Sequence, residues 1–118
     1  MSYVDGFIVP VPKKKLADYK KLSRKAGKIW KEHGALAYVE CAGDDVPYGK
    51  LTSFPRAVKV KPTETVVFSW IVYKSRAQRD SINKKVMADP RLNMMDMSKM
   101  PFDPKRMIFG GFKTLLEM

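Results

Sequence analysis

Residues 64–74 read ETVVFSWIVYK and decide how the rest of the chain is arranged. β-Branched and aromatic residues dominate the segment, which is typical of a β-strand. Successive side chains of a strand point to opposite faces. Here both faces are mainly apolar, with Val66, Phe68, Trp70 and Val72 on one and Thr65, Val67, Ser69, Ile71 and Tyr73 on the other. Because both faces must be covered, we predict a central strand.

Size and composition limit the classes of protein that fit. The chain has 118 residues, which suits a single domain over 1–118. No apolar run approaches the ~20 residues that span a bilayer, and the N-terminus does not resemble a signal peptide. Cys41 is the sole cysteine, which excludes an internal disulfide. We therefore predict a cytoplasmic protein without a membrane partner.

Three further strands and two helices are predicted around the central strand. The strands are expected over Tyr3–Val11, Ala35–Ala42 and Arg106–Leu116, and the helices over Leu16–His33 and Arg76–Ala88. Each strand–helix–strand unit makes a right-handed crossover. Interleaving the two units gives an α+β, ferredoxin-like βαββαβ sandwich with both helices on one face of an antiparallel sheet.

The side-chain pattern also predicts which sheet face each residue occupies. Gly6 and the small residues Ala37 and Cys41 suit the face beneath the helices, which leaves Phe7 and Tyr38 on the non-helical face. Four strands present roughly 400 Å² on that face, near the upper range of apolar patches on monomers. We therefore predict a homodimer in which two sheets pair face to face.

A resemblance to a known family is carried by ten short strings between Tyr3 and Phe112. In order they are YVDGF, GAL, VEC, DVP, ETVVFSWI, RD, DPR, MPFD, KRMI and GGF. They resemble the YbaA-like family of uncharacterised bacterial proteins. The resemblance implies a dimeric α/β barrel, and that superfamily includes cofactor-independent monooxygenases and other small-molecule-degrading enzymes. It leaves open whether the chain is an enzyme, and we expect no cofactor.

Charged residues among apolar ones indicate a small-molecule pocket on the non-helical face. Asp5 and Glu40 occupy strand positions where an apolar interior is expected, and Arg106 begins the last strand. Asp5 and Glu40 are the candidate catalytic residues, for proton abstraction or cofactor-independent oxidation. The candidate ligand-binding residues are Phe7, Tyr38, Trp70 and Arg106. The alternative is a structural ion pair that fixes strand register in a purely structural or interaction dimer.

The first predicted helix and its lead-in, Lys13–Lys15, hold most of the excess in the net charge of +11. The basic residues of the helix are Lys20, Lys21, Arg24, Lys25, Lys28 and Lys31. Non-specific binding of RNA or another polyanion is one interpretation. A solvated helix face fits better because the row lacks aromatic residues for base stacking, so a nucleic-acid partner is not expected.

The remaining candidate residues favour structural roles. His33 ends the apolar stripe of the first helix, and Arg79-Asp80 is interpreted as a surface or interface ion pair. Asp44-Asp45 is interpreted as a solvated turn, so no metal site is expected. The methionine cluster of Met94, Met95, Met97 and Met100 favours adaptable packing, with a ligand-gating loop as the alternative.

Overall fold

The structure is a computed structural model that describes residues 2–95 and 99–118. Its strands are β1 (Tyr3–Pro12), β2 (Ala37–Ala42), β3 (Glu64–Tyr73) and β4 (Ile108–Lys113). Its helices are α1 (Leu16–Glu32), α2 (Phe54–Ala57), α3 (Arg76–Met87) and α4 (Pro90–Asn93), with 3₁₀ turns at Lys13–Lys15 and Pro104–Arg106. The predicted element order is confirmed, and the predicted bounds shift by only a few residues.

The four strands form one antiparallel sheet in the order β2-β3-β1-β4. β3 lies inside the sheet and pairs with β1 along its full length, from Tyr3 opposite Tyr73 to Pro12 opposite Glu64. β2 and β4 are the edge strands. The antiparallel α+β fold and the central position of β3 are therefore confirmed.

Local sequence signals set the ends of the helices. Ser53 and Ser75 cap α2 and α3 by accepting hydrogen bonds from main-chain amides at their N-termini. Gly34 follows α1 with a φ of +118°, a conformation that favours glycine. Within the described ranges, no helix combines the length and the apolar character that crossing a membrane requires.

The predicted assignment of the two sheet faces is wrong. Cross-strand register and contacts place these residues beneath the helices: Asp5, Phe7, Val9, Tyr38, Glu40, Val67, Ser69, Ile71 and Tyr73. Gly6, Ala37 and Cys41, which were predicted to lie beneath the helices, lie on the opposite face. The reason is that α1 itself supplies the close approach, since Ser23 and Gly27 are buried where the helix crosses Tyr38.

Two apolar clusters form the core beneath the helices. The larger contains Tyr3, Ile29, Ala35, Ile71, Tyr73, Ile82 and Val86. The smaller contains Val9, Val11 and Val67, with Tyr19 and Phe102 packed against it. Asp5 and Ser69 are also buried on this face. The helix-covered face therefore includes polar groups that must find partners inside the protein.

The opposite sheet face, here called the open face, is mainly apolar. It carries Val4, Ile8, Val39, Phe68, Trp70, Val72, Ile108 and Phe112. Phe68 is 41% exposed and Phe112 is 62% exposed. Phe54 of α2 contacts Phe68, with 5.8 Å between ring centroids, and so covers part of this face. Much of its aromatic surface remains accessible.

Ion pairs join the C-terminal end of α1 to the start of α4. His33 Nε2 lies 2.9 Å from Asp89 Oδ2, and Arg91 reaches Asp89 at 2.9 Å and Glu32 at 2.7 Å. Asp89 also caps α4 through the amide of Arg91. These hydrogen bonds, from Arg91 foremost and then from His33, hold the pKa of Asp89 well below its usual range. The contact agrees with the structural role predicted for His33.

This cluster predicts a pH-dependent contribution to stability. Asp89→Asn keeps a side-chain oxygen for capping but removes the charge. Because the folded-state pKa of Asp89 is depressed, its carboxylate stabilises the fold above about pH 4, and that stabilisation is lost as the pH falls. The variant should have a lower urea midpoint than the wild type at pH 7, and the difference should shrink towards pH 3. Asp45→Asn, in an exposed turn, is the control; an Asp89→Asn effect that does not change with pH would contradict the account.

Candidate functional site

A cavity of about 530 Å³, here called the inner cavity, lies between the sheet and helices α1 and α3. Its apolar lining is dominated by aromatic and methionine side chains, including Phe7, Trp30, Met87, Met95, Phe102 and Phe109. Met100 and Met107 complete the side formed by the connection to β4. Two of the four clustered methionines, Met95 and Met100, therefore contact the cavity, whereas Met97 lies outside the described residues.

An ion pair between buried Asp5 and half-buried Arg79 lies at one end of the inner cavity. Asp5 is 8% exposed, and its Oδ1 lies 3.4 Å from Arg79 Nε. Arg79 also donates a hydrogen bond of 2.9 Å to the Tyr3 hydroxyl and lies over the Tyr3 ring. Arg79 Nε is buried and has no hydrogen-bond acceptor among the residues that the structure describes. This end of the cavity therefore holds a carboxylate beside a guanidinium, whose Nε is itself closed off from the cavity.

A second polar cluster links α1 and α3 across β3. Asn83 Oδ1 accepts hydrogen bonds from Trp30 Nε1 at 3.1 Å and from the Tyr73 hydroxyl at 3.3 Å. Burial, together with the neighbouring Asp5, raises the pKa of Tyr73. Tyr73 therefore remains a protonated donor at neutral pH and holds the position of Asn83.

Glu40 is the acceptor at the centre of a hydroxyl cluster on the other side of the cavity. Tyr19 donates to Glu40 Oε1 at 3.0 Å, and Ser23 donates to Oε2. The Ser23 and Tyr38 hydroxyls are 3.1 Å apart. Burial is the main cause that raises the pKa of Tyr38 to about 12, and burial and Glu40 raise that of Tyr19. The tyrosines keep their protons, and both oxygens of Glu40 accept hydrogen bonds.

Five of the predicted site residues line the inner cavity, on the helix-covered face, although the Trp70 side chain itself points to the open face. Asp5 and Phe7 come from β1, and Tyr38 and Glu40 come from β2. The prediction that they line a pocket on the non-helical face is wrong. In β3, the side chain on the cavity side is that of Ser69, opposite Glu40, and not that of the next residue, Trp70.

Trp70 and Arg106 do not join the cluster of Asp5 and Glu40. Trp70 belongs to the open face, where its ring centroid is 5.5 Å from that of Phe68. Arg106 lies in the 3₁₀ turn before β4 and binds Glu64 at 2.6 Å and Asp103 at 2.9 Å. The predicted pairing of Arg106 with a cavity carboxylate is therefore wrong, because its position precedes the paired part of β4.

Helical residues complete the site, and the sequence analysis did not identify them as functional. Arg79 binds Asp5 as well as Asp80, so its interpretation as part of a surface pair is incomplete. Tyr19 and Ser23 are spaced by four residues on the buried side of α1. The sequence did contain a signal for Tyr19 and Ser23, because they are hydroxyl residues on the apolar side of a helix. Buried hydroxyls require hydrogen-bond partners, so a polar residue on the sheet could have been expected opposite them.

A second cavity of about 760 Å³, here called the basic groove, lies between α1 and the edge strand β2. Four of the six basic residues predicted on α1 line it, namely Lys20, Arg24, Lys28 and Lys31. The other two, Lys21 and Lys25, lie on the opposite flank of the helix, near Lys99 and Pro101. The Glu40 cluster borders both the basic groove and the inner cavity. Among the described residues, no group of three or more side chains is arranged to hold a metal ion.

The close approach of α1 to β2 predicts a large effect at Gly27. A Cβ atom there would lie 2.8 Å from the ring of Tyr38, which is half-buried and held by the hydrogen bond between its hydroxyl and Ser23. Gly27→Ala should therefore destabilise the fold by about 1–3 kcal/mol, despite the higher helix propensity of alanine. Chemical denaturation measures this, with Lys28→Ala at the neighbouring exposed position as the control. A stabilised Gly27→Ala variant would show that the packing is looser than described.

Comparisons with known proteins agree with the predicted resemblance. Residues 2–104 match the family described as a protein of unknown function (DUF1428). The chain is 51% identical over 117 residues to the "Uncharacterized protein YbaA" of Escherichia coli (strain K12), and equally to that of Shigella flexneri, with 99% of each chain covered. An uncharacterized NIPSNAP domain protein from Burkholderia xenovorans shares the fold, with a TM-score of 0.59, 13% identity and coverage of 95% and 93%. The chain therefore belongs to the DUF1428 family, together with the YbaA proteins.

Proposed function

We propose that this protein binds a small, mainly apolar molecule in the inner cavity. The supporting observation is the cavity itself, because about 530 Å³ lies within the range of ligand pockets. Apolar and aromatic walls with a few convergent polar groups are the usual composition of such pockets. The ligand class is therefore a compact molecule with an aromatic or aliphatic body and a hydrogen-bonding group.

The polar groups favour a ligand hydroxyl at the Asp5 end. Both oxygens of Glu40 already accept hydrogen bonds from Tyr19 and Ser23. At the other end, the Asp5 carboxylate is buried and lies 3.4 Å from Arg79, so it is an acceptor beside a positive charge. A ligand hydroxyl suits this end because it can donate to the Asp5 carboxylate, next to the positive charge of Arg79.

The same arrangement suits proton abstraction, with Asp5 as the base. A proton would move from the ligand hydroxyl, or from an acidic C–H group, to the Asp5 carboxylate, and the electron pair would stay on the ligand. The guanidinium of Arg79, 3.4 Å from Asp5, would stabilise the resulting anion. Glu40 would position Tyr19 and Ser23 at the wall. We include this proton transfer to Asp5 in the proposed function.

Binding of 2-naphthol tests the proposal. The probe has an aromatic body and one hydroxyl, and its fluorescence reports binding. It should bind about tenfold more tightly than 2-methoxynaphthalene, which lacks the donor, because one satisfied hydrogen bond is worth about 1 kcal/mol. Ala26→Phe would fill the cavity from α1 and should abolish binding, whereas Ala17→Phe, on the groove side of α1, should not. Equal affinities for the two probes, or binding that survives Ala26→Phe, would contradict the proposal.

A pair of isosteric variants distinguishes the two carboxylates. Asp5→Asn should weaken 2-naphthol binding about tenfold, since the acceptor for the ligand hydroxyl loses its charge. Glu40→Gln should change the affinity less than threefold, because its hydrogen bonds go to the protein. Both variants should remain folded by circular dichroism. If Glu40→Gln weakened 2-naphthol binding more than Asp5→Asn, Glu40 and not Asp5 would be the residue that binds the ligand hydroxyl, which would contradict the proposed roles.

We also propose a homodimer formed through the open face. Its support is the exposed aromatic and aliphatic surface around Phe68 and Phe112, because monomers rarely leave such patches uncovered. The two chains would pack their open faces together and leave both inner cavities on the outer sides of the paired sheets. Pairing would thus stabilise the sheet that forms the floor of each cavity.

A further inference from the structure

Two donors fix the orientation of the Asn83 side chain on α3. Trp30 Nε1 lies 3.1 Å from Asn83 Oδ1, and the Tyr73 hydroxyl lies 3.3 Å from the same atom. An indole N–H group can only donate a hydrogen bond, so the Asn83 atom that faces Trp30 must be the carbonyl oxygen. The amide nitrogen of Asn83 is therefore turned away from Trp30.

The amide nitrogen of Asn83 is available to a ligand. It has two N–H groups and no acceptor among the residues that the structure describes. In that part of the chain, Arg79 Nε is the only enclosed side-chain nitrogen or oxygen without a partner, so the Asn83 nitrogen is accessible. Asn83 is half-buried and lines the inner cavity beside Trp30 and Tyr73. The cavity wall therefore presents an oriented hydrogen-bond donor.

Tyr73 lies between this donor and Asp5. Asp5 and Tyr73 are on the same face of the paired strands β1 and β3, where Asp5 is opposite Ile71 and Tyr73 is two residues further along β3. Burial and then the charge of Asp5 raise the pKa of the Tyr73 hydroxyl, and that hydroxyl also contacts Asn83. One compact molecule can therefore contact both the Asp5 carboxylate and the Asn83 amide.

This arrangement does not involve the edges of the sheet. Asp5 and Tyr73 belong to the two central strands, and Asn83 belongs to α3. All three residues line the inner cavity, on the side of the sheet away from the open face. The proposed homodimer therefore leaves these groups facing the inner cavity.

We propose that the inner cavity takes an enolisable ketone or aldehyde, a compound with an acidic C–H group next to its carbonyl, and that Asn83 binds the carbonyl oxygen. The inference rests on the proposed function and names its substrate class. A carbonyl oxygen is an acceptor without a proton of its own, so it suits the Asn83 amide and not the Asp5 carboxylate. The acidic C–H group then faces Asp5.

Asp5 and Asn83 divide the reaction between them. The Asp5 carboxylate takes a proton from the carbon next to the carbonyl, so a C–H bond breaks and an O–H bond forms on Asp5. The electron pair of the C–H bond forms a carbon–carbon double bond, and the π electrons of the carbonyl move to its oxygen, which gives an enolate. The N–H groups of Asn83 stabilise the charge that develops on this oxygen. Return of a proton from Asp5 to carbon restores a carbonyl compound, and no co-reactant is consumed.

Deuterium exchange of 2-tetralone, followed by proton NMR in D₂O, tests the reaction. This ketone has two fused rings, as 2-naphthol has, and an acidic CH₂ group beside its carbonyl. The wild-type protein should exchange that group roughly 100-fold faster than buffer, because a positioned general base contributes on this order. Asp5→Asn should show the buffer rate. Exchange at the buffer rate with protein that binds 2-naphthol would overturn the inference and leave the proposed binding intact, whereas failure to bind 2-naphthol would contradict both.

Two variants separate hydrogen bonding to the carbonyl from support of the cavity. Asn83→Leu removes the amide donors and should slow the protein-catalysed exchange at least about tenfold, because an oxyanion loses its donor. Its affinity for 2-naphthol should stay within about threefold of wild type, since the naphthol hydroxyl goes to Asp5. Asn83→Asp keeps an oxygen that accepts from Trp30 and Tyr73 and should slow exchange to a similar extent.

The matched control is Asn93→Leu, at an exposed position of α4. It should exchange 2-tetralone at the wild-type rate. Wild-type exchange in both Asn83 variants would overturn the role of Asn83. Loss of 2-naphthol binding in both Asn83 variants would also overturn it, because Asn83 would then support the shape of the cavity and not bind the carbonyl.

Discussion

Arg79→Leu should lower the free energy of unfolding by about 2–3 kcal/mol, the upper part of the range for single substitutions. The substitution leaves Asp5, which is 8% exposed, without its guanidinium partner. It also removes the hydrogen bond to Tyr3. An uncompensated carboxylate inside the protein is costly, and partial solvent access to the Arg79 side chain limits the cost to this range.

Two further variants isolate the pair from general effects on α3. Arg76→Leu removes a cation three residues earlier, where the pair with Asp80 is exposed and 3.9 Å long, and should cost less than about 0.5 kcal/mol. Asp5→Leu with Arg79→Leu should recover most of the loss, because no charge is left unpaired. Urea denaturation measures all three. Equal losses for Arg76→Leu and Arg79→Leu would show that Asp5 and Arg79 are not coupled.

Phe112→Glu should convert the proposed homodimer to a monomer. Phe112 is 62% exposed on the open face, and a glutamate there would place a charge in the centre of an apolar interface. Phe109→Glu introduces the same charge on the opposite face of β4, so it should remain dimeric. Sedimentation equilibrium at micromolar concentration should give twice the 13.5 kDa chain mass for the wild type and for Phe109→Glu. A monomeric wild type would contradict the dimer.

The fold could be predicted from the sequence because periodicity is a local property. The two apolar faces of β3 require an internal strand, and the apolar stripe of α1 requires a sheet beneath it. The order of elements then leaves few topologies. Even the short helix α2 is indicated by Ser53 followed by Phe54-Pro55, since serine caps helices and proline is favoured in the first turn.

The face on which the site lies could not be predicted from strand patterns alone. The small residues Ala37 and Cys41 in β2 predicted that a helix packs on their face. The close contact is instead made by small residues of α1, Ser23 and Gly27. Alternation placed Asp5, Phe7, Tyr38 and Glu40 on one face correctly, whereas the choice between the two faces depends on tertiary contacts. Those four residues were therefore grouped correctly and assigned to the wrong side.

The partner of Asp5 was missed for a similar reason. Arg79 and Asp5 are far apart in sequence, and the adjacent Asp80 offered a simpler explanation for Arg79. Arg106 was preferred because β4 was predicted to begin there, but pairing begins at Ile108. A shift of two residues at one strand end was enough to direct Arg106 to Glu64 instead.

The central claim is that the inner cavity binds a small molecule, and a crystal structure with 6-bromo-2-naphthol tests it most directly. The bromine locates the probe by anomalous scattering without reference to the protein coordinates. We predict one bromine peak between α1 and the sheet, beside Phe7 and Trp30, with the probe hydroxyl within hydrogen-bond distance of Asp5 and Arg79. A peak against Phe68 or Phe112 on the open face, or an unoccupied inner cavity at saturating probe, would contradict the account.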